Sequence, residues 1–225
     1  MIYLREALMT GKRLPYDAEV EYLDSSGGQY IDTGMFINLY SDKIICDATS
    51  LSNGSDQFSS TAGLFGNRVG NNYIATVYNF YYALYYSNGI NNFARWDGYM
   101  PTEYHRLRLR YIASRFLRRI ELNGTALKES TTTTNVNYAF TNSCLLFAVR
   151  DSANVMINTR GTRVWMFQFY RNDELVLDLI PVRVGSGASA VGYMYDRVSG
   201  ELFGNAGTGA FVIGPDASAA NGGGV

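Results

Sequence analysis

The chain has 225 residues, with 19 basic and 20 acidic side chains, so its formal net charge at pH 7 is −1. A charge this close to zero provides no long-range field that would attract nucleic acid or an acidic membrane surface. Hydrophobic residues make up 47% of the chain, which excludes global disorder, and the length suits one large β domain that needs no disulfide or metal to be stable.

Residues 1–15 differ from the rest of the chain. Their apolar side chains are spaced like one face of a helix that Gly11 and Pro15 would end: Ile2, Leu4, Leu8 and Met9. We interpret this segment as a short helix or flexible arm, which either docks on a partner protein or is a disordered extension. It has no continuous apolar run and no small-residue cleavage site, so we expect no signal peptide.

From Glu19 onward the sequence is typical of short β-strands rich in Tyr, Val, Ile, Thr and Phe. Dipeptides that favour tight hairpin turns separate the strands: Asn53-Gly54, Asn88-Gly89, Asp97-Gly98 and Asn123-Gly124. Many short strands without helical periodicity predict an all-β fold, a two-sheet antiparallel jelly-roll β-sandwich over residues 16–216. Residues 217–225 are rich in Ala and Gly, and we expect a flexible tail.

An aromatic block covers residues 73–86 and predicts two strands joined near Asn79. In the second strand, alternation places Leu84 and Tyr86 on one face and Tyr81 and Tyr85 on the other. One face should belong to the core, because Tyr favours strands, and the other could form a recognition surface of rigid amphipathic rings. We take Tyr81, Tyr85 and Trp96 as the candidate ligand-binding residues.

Six arginines lie within residues 106–119, and residues 106–111 alternate arginine with apolar side chains. Period-two alternation predicts that Arg106, Arg108 and Arg110 share one face of a strand. The arginine cluster is interpreted as a solvated outer face or as a protein interface, for which arginine is favoured. Nucleic-acid binding is the weaker alternative because it needs a net basic face. Strong strands are also predicted at 163–170 and 174–183, joined by a turn at Asn172-Asp173.

Cys46 and Cys144 each lie in an apolar run, about a hundred residues apart. Two buried thiols are the simpler interpretation, because free cysteine behaves as a small hydrophobic residue, and one disulfide between facing strands is the alternative. The spacing does not resemble a zinc site.

No catalytic constellation is recognisable in the sequence. Glycosidases need two carboxylates at a defined separation, and the chain lacks a close ExDxE-type triplet. The single histidine, His105, is interpreted as a structural strand residue, because the sequence has no GxSxG-type nucleophile motif that could form a catalytic triad with it. The loops at 52–56 and 151–154 lack the dense carboxylates of a calcium site. We therefore expect no enzyme activity, no metal and no cofactor.

Three segments resemble the concanavalin A-like, or laminin G-like, jelly-roll domains of gut Bacteroides-type bacteria and their phages. Residues 21–34 (EYLDSSGGQYIDTG) resemble the opening strand pair of these domains, and residues 104–109 with 121–124 resemble a central hairpin. Tyr104 stands where that hairpin pattern has Trp. Residues 178–183 (DLIPVR) and 191–209 (VGYMYDRVSGELFGNAGTG) are similar to the closing segment of the family.

The resemblance implies a lectin-like domain over nearly the whole of residues 16–216. Together with the absence of a recognisable signal peptide, it implies a non-enzymatic virion component, a capsid or tail decoration, fibre or adhesin. The implied partners are other virion proteins, contacted through the arm, surface glycans and further copies of the chain. Neither nucleic acid nor a membrane is implied as a partner. Alternatives are a bacterial carbohydrate-binding module and a diverged glycoside hydrolase.

Overall fold

The structure is a computed structural model, which describes residues 13–51, 62–79, 81–88, 93–95, 102–104, 106–131, 137–157 and 161–217. These residues form β-strands and two short 3₁₀ turns, Thr102–Tyr104 and Gly187–Ser189, and contain no α-helix. None of their segments is therefore a helix long and apolar enough to cross a bilayer. The predicted arm at 1–15 and tail at 217–225 fall almost entirely outside the described residues.

The larger of two sheets has eleven strands. Eight of them follow the order β11-β10-β9-β4-β15-β16-β17-β18, while β1, β2 and β19 pair at the margins. Its strands are β1 (Ala18–Glu19), β2 (Leu23–Ser25), β4 (Asp42–Ser50), β9 (Leu109–Ala113), β10 (Leu117–Leu122), β11 (Thr125–Thr131), β15 (Thr162–Arg171), β16 (Glu174–Val184), β17 (Val191–Asp196), β18 (Leu202–Phe203) and β19 (Val212–Ile213).

The smaller sheet has eight strands, six of which follow the order β13-β14-β5-β6-β7-β8, while β12 joins β3 to β5. Its strands are β3 (Ile31–Asn38), β5 (Ala62–Val69), β6 (Asn72–Asn79), β7 (Tyr81–Asn88), β8 (Phe93–Arg95), β12 (Ala139–Leu146), β13 (Ala148–Asp151) and β14 (Asn154–Ile157). The predicted all-β class and two-sheet, sandwich-like arrangement are thus confirmed.

The core lies between the inner faces of the two sheets. Alternate residues of β4 and β15 are fully buried, as period-two alternation requires when one face of a strand is covered: Ile44, Cys46, Ala48, Phe167 and Phe169. Phe65 of the smaller sheet packs edge-on against Tyr111 and Phe167 of the larger sheet, with ring centroids 5.9 and 6.1 Å apart. Aromatic side chains from both sheets therefore interdigitate.

Two of the predicted hairpin turns are present in the described residues. Asn123 and Gly124 have φ values of 51° and 79° between β10 and β11, and Asn172 and Asp173 have φ values of 50° and 63° between β15 and β16. Two consecutive residues with positive φ match the twist of the strands that they join, which explains why Asn, Asp and Gly occupy these positions.

The aromatic block forms the hairpin of β6 and β7, with Tyr78 opposite Tyr82 in the backbone register. Leu84 and Tyr86 are fully buried, so their face of β7 belongs to the core. The Tyr86 hydroxyl lies 2.7 Å from the carbonyl oxygens of both Leu39 and Asp42, so it donates to either. Burial raises the pKa of the Tyr86 hydroxyl well above its usual range.

Cys46 and Cys144 are both buried and both carry free thiols, which confirms the first of the two interpretations. Burial raises the pKa of each thiol, because the thiolate cannot be solvated in the apolar interior.

The opening and closing segments that carry the family resemblance contact each other. The Thr208 backbone N–H donates to the Gly28 carbonyl at 2.9 Å, and the Tyr30 N–H donates to Asn205 Oδ1 at 3.2 Å. A Cβ at Gly207 would lie 2.1 Å from the Gly28 carbonyl oxygen, so only glycine fits there. The close docking of these two loops therefore explains why Gly207 and Asn205 occupy their positions.

The strand predicted from Arg106 begins only at Leu109. Arg106 has a φ of 63°, and the Leu107 N–H donates to the Tyr104 carbonyl at 3.3 Å, so the chain turns at these residues. Arg106 and Arg108 both precede β9 and only Arg110 lies in it, so the prediction that the three arginines share one strand face is wrong.

Candidate functional site

Arg108 and Arg110 meet at one carboxylate on the outer face of the larger sheet. Arg110 lies opposite Asp47 in the register of β9 and β4, and it donates to both carboxylate oxygens, at 2.7 and 3.0 Å. Arg108 donates from Nε at 3.0 Å, and its Nη2 lies 2.8 Å from the same carboxylate. Asp47 is only 2% exposed, so a buried carboxylate holds both guanidinium groups in place. These hydrogen bonds raise the pKa of Arg110.

A β-bulge places Trp165 beside these arginines. Val164 lies opposite Ala48 and Met166 opposite Asp47, so Trp165 is the additional residue with no counterpart on β4. Such a bulge redirects a side chain and is common next to binding sites. The Trp165 ring is half-buried. The guanidinium carbons of Arg108 and Arg163 each lie 5.8 Å from its centroid, within the range of cation–π attraction.

Tyr22 and Asp24 complete this cluster by holding Arg163. The Arg163 guanidinium carbon lies 3.4 Å from the Tyr22 ring centroid, and its nitrogens donate to both oxygens of Asp24 at 2.7 and 2.8 Å. The rings of Tyr22 and Trp165 lie edge-on with centroids 6.2 Å apart. We name the whole set the Trp165 surface: Tyr22, Asp24, Asp47, Arg108, Arg110, Arg163 and Trp165.

A hydrogen-bonded row continues along the same outer face. The Tyr170 hydroxyl donates to Gln168 Oε1 at 3.0 Å, and Gln168 Nε2 donates to Asp178 at 3.1 Å. Arg197 Nε donates to the other oxygen of Asp178 at 2.9 Å. Lys43 Nζ lies 4.2 Å from the Tyr170 ring centroid. The outer face is therefore an ordered aromatic and polar surface, in which each of these side chains is held by a neighbour.

The Trp165 surface has balanced charge despite its arginines. Three guanidinium groups, of Arg108, Arg110 and Arg163, face the carboxylates of Asp24 and Asp47. Two further carboxylates, of Glu21 and Glu121, lie close enough to raise the pKa of Arg163 and Arg110 respectively. The surface thus offers planar aromatic rings and N–H donors without an excess of positive charge.

Of the predicted ligand-binding residues, only Tyr85 has its side chain within the described part of the chain. Tyr85 is half-buried in β7 of the smaller sheet. Tyr81 is also in β7, with its side chain outside the described part of the chain, and Trp96 lies wholly outside it. Of the predicted interface residues, Arg108 and Arg110 are brought together and Arg106 is not.

Sequence reasoning missed Trp165 as a site residue. The period of two in Arg163-Val164-Trp165 would have placed Arg163 and Trp165 on one face. The bulge and the carboxylate of Asp47 depend on pairing with β4, which carries no local signal.

A second group of exposed side chains lies where β3 turns into β4 and β9 turns into β10. Phe36, Tyr40 and Phe116 are 56%, 52% and 57% exposed, and the Arg115 guanidinium carbon lies 4.0 Å from the Tyr40 ring centroid. These turns lie at the opposite end of the strands from Tyr22 and Trp165, so this group is separate from the Trp165 surface.

No known protein family matches the chain, and no curated protein matches it. In the part of the chain that the structure describes, no three His, Cys, Asp or Glu side chains are grouped so as to hold a metal ion.

Proposed function

We propose that this chain is a non-enzymatic structural protein of a bacteriophage virion, and that it displays a concanavalin A-like jelly-roll domain for attachment to host-surface glycans. The family resemblance of the opening and closing segments supports the jelly-roll topology and the phage setting. The observation that carries the attachment role is the β-bulge that places the Trp165 ring centroid 5.8 Å from the guanidinium carbons of both Arg108 and Arg163. Rigid aromatic rings beside fixed donors bind ligands at small cost in conformational entropy.

The arrangement favours a saccharide as the ligand. A sugar ring presents C–H groups to an aromatic face and hydroxyl oxygens to N–H donors. Arg108 and Arg110 use Nε and Nη2 for Asp47, and their side chains remain 53% and 47% exposed, so further donors are available to a ligand. The balanced charge favours an uncharged saccharide over a polyanion, whose binding would depend on released counterions.

The ends of the described sandwich suit a protein that is anchored at one edge. Val20 N–H donates to the Pro181 carbonyl at 3.0 Å, and Ala217 N–H donates to the Glu19 carbonyl at 2.8 Å, so residues 19–20 and 215–217 run side by side. In the proposal, residues 1–15 contact other virion proteins from this edge, and several copies of the chain assemble on the particle.

Two experiments test this proposal. The first asks whether the protein co-purifies with phage particles at a fixed number of copies; absence from purified particles would contradict the virion role. The second screens the purified chain on an array of host-surface glycans, where we expect binding to uncharged saccharides. Affinity should change less than twofold between about 50 and 500 mM NaCl, whereas a polyanion would lose orders of magnitude.

A bacterial carbohydrate-binding module is the second candidate, and the Trp165 surface supports it equally. It predicts the same glycan binding without association with particles, so the particle experiment separates the two functions.

A further inference from the structure

The interior of the larger sheet contains a fully buried arginine. Arg118 lies on the inner face of β10, opposite Ala113 of β9 and Ser130 of β11, and is 0% exposed. Its Nη1 donates to the Arg115 carbonyl and its Nη2 to Ser130 Oγ, both at 3.4 Å, close to the limit for a hydrogen bond. Its buried Nε has no hydrogen-bond partner. The guanidinium is therefore enclosed but poorly satisfied.

Arg118 also lacks a counter-charge in the described residues, where no carboxylate oxygen lies within 4.0 Å of its nitrogens. Other arginines of the sheet differ. Arg110, Arg163 and Arg171 each bind one carboxylate through two nitrogens. Arginine stays protonated in proteins, and a buried charge without a partner is strongly disfavoured. Burial accordingly lowers the pKa of Arg118 from its usual range.

A second guanidinium group, that of Arg115, lies in the same part of the core as Arg118. Arg115 and Arg118 both lie close enough to the Tyr86 hydroxyl to oppose the rise in its pKa. The carboxylate near Tyr86 is that of Asp42, which already accepts two hydrogen bonds from Arg171. Asp42 is therefore engaged by Arg171 and forms no ion pair with Arg118.

We propose that a small inorganic anion of the size of chloride binds inside the protein against Arg118, between β7, β10 and the turn that joins β9 to β10. The anion supplies the missing counter-charge and the missing acceptor for Nε. Complete burial of the guanidinium restricts the ligand to a small ion. This site lies in the core and is independent of the Trp165 surface.

Thermal unfolding in sodium chloride and in sodium gluconate of equal ionic strength tests the proposal. A ligand that binds only the folded state raises the melting temperature, and we expect chloride to raise it by about 3 °C or more over gluconate. Arg118→Met should abolish this difference. Arg119→Met is the matched control, because Arg119 lies next along β10 and pairs with Glu121 and Glu129 at the surface, and it should retain the difference.

A crystal of the unaltered protein soaked in sodium bromide provides a test that needs no variant. We expect an anomalous peak within hydrogen-bond distance of the Arg118 guanidinium. Equal melting temperatures in the two salts without such a peak would overturn the proposal. So would a chloride effect that survives in Arg118→Met.

Discussion

Replacing Asp47 by Asn removes the buried charge that holds Arg108 and Arg110. Asparagine has nearly the same shape, but its amide places N–H groups where a carboxylate oxygen accepted from guanidinium nitrogens, at 2.7–3.0 Å. About two charge-assisted hydrogen bonds are lost, worth about 3–6 kcal/mol in full burial. The two arginine side chains are 53% and 47% exposed and regain water, so we expect a net loss of about 2 kcal/mol.

For a chain of this length, about 2 kcal/mol corresponds to a fall in melting temperature of roughly 4–8 °C, measured by calorimetry or circular dichroism. Asp173→Asn is the matched control. Its side chain is 94% exposed and its contact with Lys43 is 3.5 Å long, so we expect a change within about 0.5 kcal/mol. Equal destabilisation by the two substitutions would refute the view that Asp47 is a buried anchor of the Trp165 surface.

Three further outcomes are expected. Burial raises the pKa of Cys46 and Cys144, so both thiols stay protonated in the folded protein at a pH where they ionise in the unfolded chain. Below the unfolded thiol pKa of about 8.5, these thiols should leave the free energy of unfolding unchanged. Above it, each thiol should lower the free energy of unfolding by about 1.4 kcal/mol per pH unit. Urea unfolding at pH 7.5 and 9.5 measures this, and a double alanine variant that keeps the full slope would contradict it. A thiol reagent should modify these residues in urea and leave the folded protein unreacted; rapid labelling without urea would argue against burial. Gly207→Ala forces a Cβ to 2.1 Å from a backbone oxygen and should lower the free energy of unfolding by about 2–3 kcal/mol. Gly187→Ala, in open space at a φ of 58°, should lower it by about 1 kcal/mol. A smaller loss for Gly207→Ala than for Gly187→Ala would refute the tight docking of the two loops.

Local sequence patterns predicted several of the longer strands, among them β6, β7, β15 and β16, and two of the turns. Leu109 and Tyr111 alternate with Arg110, and Asn123-Gly124 forces a tight hairpin, so nearby residues alone determine these features. The start of the strand at Leu109 was less predictable, because a local hydrogen bond turns the chain at Arg106 although the alternation continues through it.

The candidate site depends on long-range register, which explains why the sequence reveals so little of it. Trp165 gains its position because β15 contains one more residue than the opposing stretch of β4. Asp47 and Arg110 meet across two strands that are far apart in the chain. Arg118 belongs to a cluster that the sequence assigned to a solvated face or an interface. The structure instead turns Arg118 into the core, while its neighbour Arg119 points outward.

Glycan affinity of the Trp165→Ala variant tests the central claim most directly. The half-buried Trp165 ring should be removable without unfolding the chain, which an unchanged far-ultraviolet circular dichroism spectrum would verify. Against a saccharide that the unaltered protein binds, we predict at least a tenfold loss of affinity, about 1.4 kcal/mol or more, and less than a twofold change for Phe116→Ala at the other end of the strands. Full affinity in Trp165→Ala, or an equal loss in Phe116→Ala, would contradict the assignment of the Trp165 surface as the attachment site.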